Sequence, residues 1–200
     1  MKALLNSALL AAIATAPAFA DKLDPEWATP RAYYIKKSTA ACAGDEDAFA
    51  ELFDAATQGY NPVAMTSLAW MISPNQDCAF VRHNAEEWVG FVRRGAEAGY
   101  PVAMKNYGNL MLQGEYVPEN KVFGLTMLRF AAKEGHATAA ADLALIFYEG
   151  LYGIPENMEL AVAYAEEAND LGITGPLAER MDEITYTGAW CGAFGCEDAD

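Results

Sequence analysis

The sequence predicts an all-α protein, an α-solenoid in which antiparallel helical hairpins stack side by side. Glycine recurs at Gly59, Gly99, Gly135 and Gly172, at intervals of 40, 36 and 37 residues. Each glycine follows a segment in which apolar residues recur with the period of a helix. A unit of that length cannot bury a core alone, so neighbouring units must stack into one continuous core. The sequence therefore predicts that function resides on a surface rather than in a catalytic cleft.

Residues 1–20 are predicted to be a secretory signal peptide. Lys2 precedes an apolar run over residues 3–14, and small residues end the segment in Ala18-Phe19-Ala20. The apolar run is too short to span a membrane. We therefore expect cleavage after residue 20, a periplasmic or secreted mature chain that begins at Asp21, and no membrane insertion after cleavage.

The chain is strongly acidic. Its 200 residues include 13 Lys and Arg and 28 Asp and Glu, for a formal net charge of −15, and loss of Lys2 with the signal peptide gives 12 − 28 = −16. Such a negative field disfavours nucleic acid and anionic membrane surfaces, because both require a basic patch on the protein. It favours either a basic partner or a solvated acidic surface.

Four cysteines in a chain predicted to be exported indicate disulfide bonds, and four cysteines allow three pairings. Cys191 and Cys196 enclose two glycines that let the backbone turn back, so these two are predicted to pair. Cys42 and Cys78 then pair by elimination, and both fall in turns inside neighbouring repeats. The alternative is a zinc site formed by Cys42, Cys78 and His83, although the His83 spacing lacks a second pair of ligands.

The second helix of each repeat carries the clearest pattern. Apolar or small residues recur at i, i+3, i+4 and i+7, the period of a helix that buries one face, and the pattern is weaker in the first repeat. A preceding helix near Thr29–Ala41 lacks small residues and is predicted to cap the N-terminal end. The stripes are Ala48, Leu52 and Ala55; Trp88, Phe91, Val92 and Gly95; Gly124, Met127, Leu128 and Ala131; and Ala161, Tyr164, Ala165 and Ala168.

The first helix of each later repeat starts soon after the recurring glycine, which is predicted to adopt positive φ just past a helix C-terminus. Pro62 and Pro101 suit the first turn of a helix, where the N–H has no partner within the helix. The turn inside the third and fourth repeats carries Pro-Glu-Asn. Asn120 and Asn157 are therefore predicted N-caps of the helices that follow.

One domain is predicted over residues 21–186, closed by a helix that places Leu177, Met181 and Ile184 on one face against the last repeat. Residues after this helix are predicted to form a disulfide-looped acidic tail. The predicted limits are 1–20 for the signal peptide; approximately 29–59, 60–99, 100–135 and 136–172 for the repeats; 175–186 for the capping helix; and 187–200 for the tail.

Small residues, an aromatic residue and glycines recur in a fixed order in two repeats. In the third repeat the order is Ala103, Tyr107, Gly108, Met111, Gly114, Glu119, Phe130, Ala131, Ala132 and Gly135. In the fourth repeat the order is Ala139, Leu143, Ala144, Phe147, Gly150, Glu156, Ala161, Ala168 and Gly172. This order resembles the Sel-one-like repeat, a relative of the tetratricopeptide repeat, over residues 61–172. The resemblance implies a right-handed solenoid that binds other proteins.

In related repeats the first helices line the concave face of the solenoid, so the resemblance implies a partner-binding surface there. Trp70 and Tyr148 are the expected anchors, because exposed aromatic side chains concentrate binding energy in a small area. The alternative is that each of these rings packs against a neighbouring helix. The implied binding residues are Thr66, Trp70, Lys105, Asn109, Leu112, Ala141, Leu145 and Tyr148.

The resemblance to exported members of the family implies a protein partner of unknown identity. Two roles remain open, a periplasmic regulator of a signalling receptor and a scaffold for an envelope complex. An enzyme is the weaker alternative, a hydrolase or binder that acts on cell-wall peptide, glycan or β-lactam. Ser38, Ser67 and Ser73 lack a lysine three positions later, and His136 matches turn residues in other repeats. No catalytic, cofactor or metal site is therefore predicted.

Overall fold

The computed structural model describes residues 25–74, 76–79 and 81–194. The predicted signal peptide, residues 1–20, and Cys196 lie outside these ranges. Within them the regular structure is entirely helical, and no helix is long and apolar enough to cross a membrane. The helices are α1 (Pro25–Cys42), α2 (Glu46–Thr57), α3 (Pro62–Ile72), α4 (Ala85–Glu97), α5 (Pro101–Gln113), α6 (Lys121–Lys133), α7 (Ala137–Glu149), α8 (Met158–Asp170) and α9 (Pro176–Phe194), with a 3₁₀ turn at Leu151–Gly153.

Consecutive helices pack against each other as antiparallel hairpins, which confirms the predicted α-solenoid. The four repeats are α1–α2, α3–α4, α5–α6 and α7–α8, and α9 packs on the last of them. Helices α3 and α7 are buried around most of their circumference, whereas α4, α6 and α8 bury only one stripe. The first helices therefore form an inner layer and the second helices an outer layer.

The recurring glycines end helices as predicted in three of the four repeats. Gly99, Gly135 and Gly172 have φ values of 84°, 87° and 85°, which favour a residue without Cβ. The prediction is wrong for Gly59, because its φ is not positive and Tyr60 adopts φ of 50° instead. The turn there is one residue longer: Asn61 N–H donates to a carbonyl six residues back, whereas Tyr100 N–H donates to one five residues back.

The predicted helix starts are confirmed. The side-chain oxygens of Asn120 and Asn157 each accept a backbone N–H at 3.0 Å, from Phe123 and Leu160 respectively. Proline occupies the first turn of α3 and α5. These short-range contacts fix where the outer helices α6 and α8 begin, and so which residues face outwards.

Helix α9 is longer than predicted. It continues to Phe194 rather than ending at residue 186, so residues 187–194 are helical and not part of a loop. Gly188 lets this added part of the helix pass close to α8, because a Cβ at that position would lie 2.2 Å from Val162 Cγ2. Cys191 in the last turns is disulfide-bonded, and its predicted partner Cys196 lies outside the described residues.

A disulfide joins Cys42, at the end of α1, to Cys78, in the segment between α3 and α4. The backbone N–H of Ala79 also donates to the carbonyl of Cys42 at 3.0 Å. This disulfide confirms the predicted pairing and leaves no thiolate for the alternative zinc site with His83. In the part of the chain that the structure describes, no group of three metal-ligating side chains is found.

The α5–α6 hairpin depends on two glycines at which the backbones touch. A Cβ on Gly124 would lie 2.8 Å from the carbonyl oxygen of Gly108 and 2.8 Å from Leu112 Cγ. We expect Gly124→Ala to lower the free energy of unfolding by about 1–3 kcal/mol through overpacking, measured by chemical denaturation. Gly90→Ala is the matched control, since nothing lies within 4 Å of a Cβ there. It should raise stability by about 0.5–1 kcal/mol, and equal effects of the two substitutions would contradict the prediction.

Candidate interaction surfaces

The predicted concave face is largely closed in the structure. Trp70, Leu145 and Tyr148 are half-buried and remain partly accessible. The other five predicted residues do not form an accessible surface, because the first helices carry their side chains into contacts within the solenoid. These five buried residues are Thr66, Lys105, Asn109, Leu112 and Ala141.

Lys105 and Asn109 are buried in a contact that joins α5 to α7. Lys105 Nζ lies 3.3 Å from Asp142 Oδ2, and Asn109 Nδ2 donates to the same oxygen at 2.8 Å. All three side chains are buried. Because Lys105 and Asn109 are four residues apart, they lie on one face of α5 and converge on a single carboxylate of α7. Sequence analysis missed Asp142, the residue that explains the other two.

The two expected anchors pack against neighbouring residues. The Arg180 guanidinium of α9 lies 5.0 Å from the centre of the Tyr148 ring, and it donates to Glu149 at 2.9 Å. Trp70 packs against the apolar core of the first repeats. Both rings therefore contribute to packing, and only part of each is left for a partner.

The outer face of α6 exposes apolar side chains that sequence analysis did not select. Val122, Phe123 and Phe130 are 79%, 41% and 48% exposed. The same helix carries Lys121 and Lys133 and contains no acidic residue, although the chain has a net charge of −15. The sequence does carry a signal for this surface: Phe123 and Phe130 are seven residues apart and lie outside the buried stripe of α6.

A surface valley of about 470 Å³ lies between α4, α5 and the turn that leads into α6. Its floor is largely apolar, and α4 contributes one wall. We call it the open valley, and its lining residues are Glu86, Val89, Gly90, Arg93, Tyr107, Met111, Val117, Pro118, Glu119 and Asn120.

The corresponding valley one repeat further along is filled. There Tyr164 of α8 stacks on Phe147 of α7, with ring centres 5.9 Å apart and an angle of 11° between the planes. Arg129 Nε of α6 donates to the Tyr164 hydroxyl at 3.1 Å. We call this arrangement the closed valley. One repeat further along the chain, Arg129 corresponds to Arg93 and Phe147 corresponds to Met111. In the same way, Tyr164 corresponds to Met127 and Thr126 corresponds to Gly90.

Charged side chains surround the open valley. Arg93 Nε lies 3.9 Å from Glu97 Oε1, and both side chains are more than half exposed, so this ion pair is weak. Glu119 pairs with Lys121 at 3.6 Å, and Glu86 adds a second carboxylate to the lining. The valley thus offers an apolar floor, one guanidinium and two carboxylates.

These features define a helical-repeat protein that presents side chains on an extended surface. A Sel1 repeat model matches residues 101–136 and 137–173, which are the third and fourth repeats within one residue of the predicted limits. These two segments of the chain are therefore similar to Sel1 repeats. Sel1 repeats generally mediate contacts between proteins, and proteins built from them are typically non-enzymatic scaffolds.

One solved structure agrees with this fold. A Sel1 repeat protein from Oxalobacter formigenes is 22% identical with a TM-score of 0.61, covering 85% of this chain and 63% of its own length. A protective antigen present in uropathogenic Escherichia coli strains, displaying an SLR fold, is 18% identical with a TM-score of 0.39, covering 85% of this chain and 50% of its own. The first likeness shows the fold alone, and the chain spans less than two thirds of either protein. A search of curated proteins finds no match.

Proposed function

We propose that this chain is an exported protein–protein interaction module that holds a protein partner on the outer surface of its second and third repeats. The observation that carries this proposal is the open valley between α4 and α5, with the exposed apolar side chains of α6 beside it. Exposed apolar residues that cluster on one surface mark interaction sites in soluble proteins. The Sel1 repeats favour the same kind of function.

The outer surface is a better candidate than the concave face. Five of the eight predicted concave residues are buried, whereas Phe123 and Phe130 are 41% and 48% exposed. Arg129 contacts α8, and both phenylalanines lie about 100–120° further round α6, on the flank towards α4. A partner that covers the open valley would therefore also reach α6.

Export to the periplasm or beyond is part of the proposal. The pattern of residues 1–20 and the disulfide between Cys42 and Cys78 both favour an oxidising compartment. In that compartment the module would serve as a regulator of a signalling receptor or as a scaffold of an envelope complex. Both roles require a stable protein partner, and the same experiment tests for one.

Site-specific photocrosslinking in the native cell tests the proposal. A benzophenone amino acid replaces Phe123 on α6, Phe53 on α2 or Tyr148 on the concave side in three separate variants. Phe53 is the matched control, because it is also an outer-layer phenylalanine with a similar exposure of 44%. We expect a discrete crosslinked species from position 123 in the exported fraction and none from position 53.

Three outcomes would contradict the proposal. Absence of a crosslinked protein from every position would remove the interaction function. A crosslink from position 148 alone would place the partner on the concave face, and recovery of the chain only in the cytoplasmic fraction would exclude export.

A further inference from the structure

We infer that the open valley receives a tyrosine side chain from a partner segment, and that a basic residue flanks this tyrosine. The inference rests on the proposed function and specifies the chemistry of the partner at that surface. The closed valley supplies the argument, because the same chain fills an equivalent site with a tyrosine of its own.

The closed valley shows how such a ring is held. Tyr164 lies flat against Phe147 on the floor, and its hydroxyl accepts a hydrogen bond from Arg129 Nε at 3.1 Å. The ring comes from the next outer helix along the solenoid. When α8 supplies the ring, the phenol therefore contacts an apolar floor and one guanidinium.

The open valley keeps the floor and the guanidinium but lacks the ring. Met111 occupies the floor position of Phe147, and a methionine sulfur also makes favourable contacts with an aromatic ring. Met127 takes the sequence position of Tyr164 and has no hydroxyl to offer to Arg93. Arg93 is left with a weak contact to Glu97 at 3.9 Å, so its guanidinium is free to donate to a phenol from outside.

Gly90 provides the space for this ring. It lies inside α4, where glycine destabilises a helix relative to alanine, and it lines the valley. A Cβ added there would meet nothing within 4 Å, so close packing does not require the glycine. The counterpart in the closed valley is Thr126, a residue with a side chain. The missing side chain therefore enlarges the open valley on the side that faces solvent.

The charge of the valley selects the neighbour of the tyrosine. Glu86 and Glu119 line the valley, and the whole chain has a net charge of −15. A Lys or Arg next to the tyrosine would meet these carboxylates and would be drawn towards the acidic surface.

A random 12-residue peptide library displayed on phage serves as the probe against the full exported chain. Selection against the unaltered protein should enrich peptides that contain Tyr with Lys or Arg within two positions. Gly90→Phe, which fills the valley, should abolish binding of these peptides. Thr126→Phe is the matched control, because it places the same ring at the counterpart in the closed valley, and it should leave binding within twofold.

The hydroxyl contact is tested by a double-mutant cycle. Tyr→Phe in a selected peptide should weaken binding about tenfold to the unaltered protein, and the difference should vanish with Arg93→Gln. Enrichment of peptides without Tyr, binding that survives Gly90→Phe, no enrichment at all, or a Tyr-to-Phe difference that persists in Arg93→Gln would each overturn the inference.

The photocrosslinking experiment separates the inference from the function on which it rests. A crosslink from position 123 that persists in the Gly90→Phe variant would leave the interaction function standing and overturn the tyrosine site. A crosslink from position 123 that disappears in Gly90→Phe while the helical circular dichroism is unchanged supports both.

Discussion

Replacing Asp142 with alanine is expected to lower the free energy of unfolding by about 3–5 kcal/mol, the largest effect of any single substitution considered for this chain. The substitution removes the carboxylate that accepts from Asn109 at 2.8 Å and pairs with Lys105 at 3.3 Å. Both the Lys105 and the Asp142 side chains are about nine-tenths buried. The ammonium group would be left in the interior without a counter-charge, and burial of an unpaired charge is strongly unfavourable. Urea denaturation followed by circular dichroism measures the loss.

Two controls distinguish this effect from simple loss of an ion pair. In the double variant Lys105→Met, Asp142→Leu neither charge remains, so the part of the loss that comes from the unpaired ammonium should return, whereas the buried Asn109 amide still lacks its acceptor. Removal of an exposed pair through Glu97→Ala should change stability by about 1 kcal/mol or less, because Arg93 and Glu97 are solvated. If Asp142→Ala lowered the free energy of unfolding no more than Glu97→Ala, the result would contradict the buried pairing of Lys105 with Asp142.

Removal of the Cys42–Cys78 disulfide is expected to cost about 4 kcal/mol in the chain-entropy model for a loop of this length. The two cysteines are 36 residues apart, and their bond ties the end of α1 to the segment after α3. Each repeat contacts mainly its neighbours, so the loss should be local. In the variant with both cysteines replaced by alanine, hydrogen exchange should accelerate in α1 and α2 and remain slow in α7 and α8.

Reduction of the unaltered protein provides an independent comparison with that variant. Dithiothreitol should accelerate exchange in the same two helices to the same degree. Cys191→Ala is the control, since Cys191 lies in α9 at the far end of the solenoid. Uniform acceleration throughout the chain, or unchanged protection of α1, would show that the disulfide does not act as a local tether.

The local features of the fold are evident from the sequence because they depend on residues within one or two turns of each other. Three examples depend only on such nearby residues: the buried stripe that ends at Ala131, the N-cap Asn157 and the helix-ending Gly135. Gly59 is the instructive exception. One additional residue in its turn moves the left-handed position to Tyr60, and the spacing of the glycines does not reveal this shift.

Accessibility was predicted poorly because it depends on helices that are distant in sequence. From the sequence alone, Asn109 is expected on the surface of α5. In the structure it donates to Asp142, which lies 33 positions later, and this contact places it in the interior. Similarly, the sequence predicts that Tyr148 is an exposed anchor, whereas in the structure the Arg180 guanidinium covers part of its ring. The face that a helix offers to a partner is what remains after neighbouring repeats have packed.

The sequence by itself determined the repeats and most of the helix ends, because periodic apolar residues, caps and turns act over short distances. The pairing of Cys42 with Cys78, 36 residues apart, was reached only by elimination and is confirmed by the structure. Only the tertiary structure decided which side chains are exposed, that Lys105 belongs to the interior, and that one valley is open and the next filled. The difference between the valleys lies in whether Tyr164 can stack on Phe147 and accept from Arg129. Those three residues lie on three different helices, and only packing brings them together.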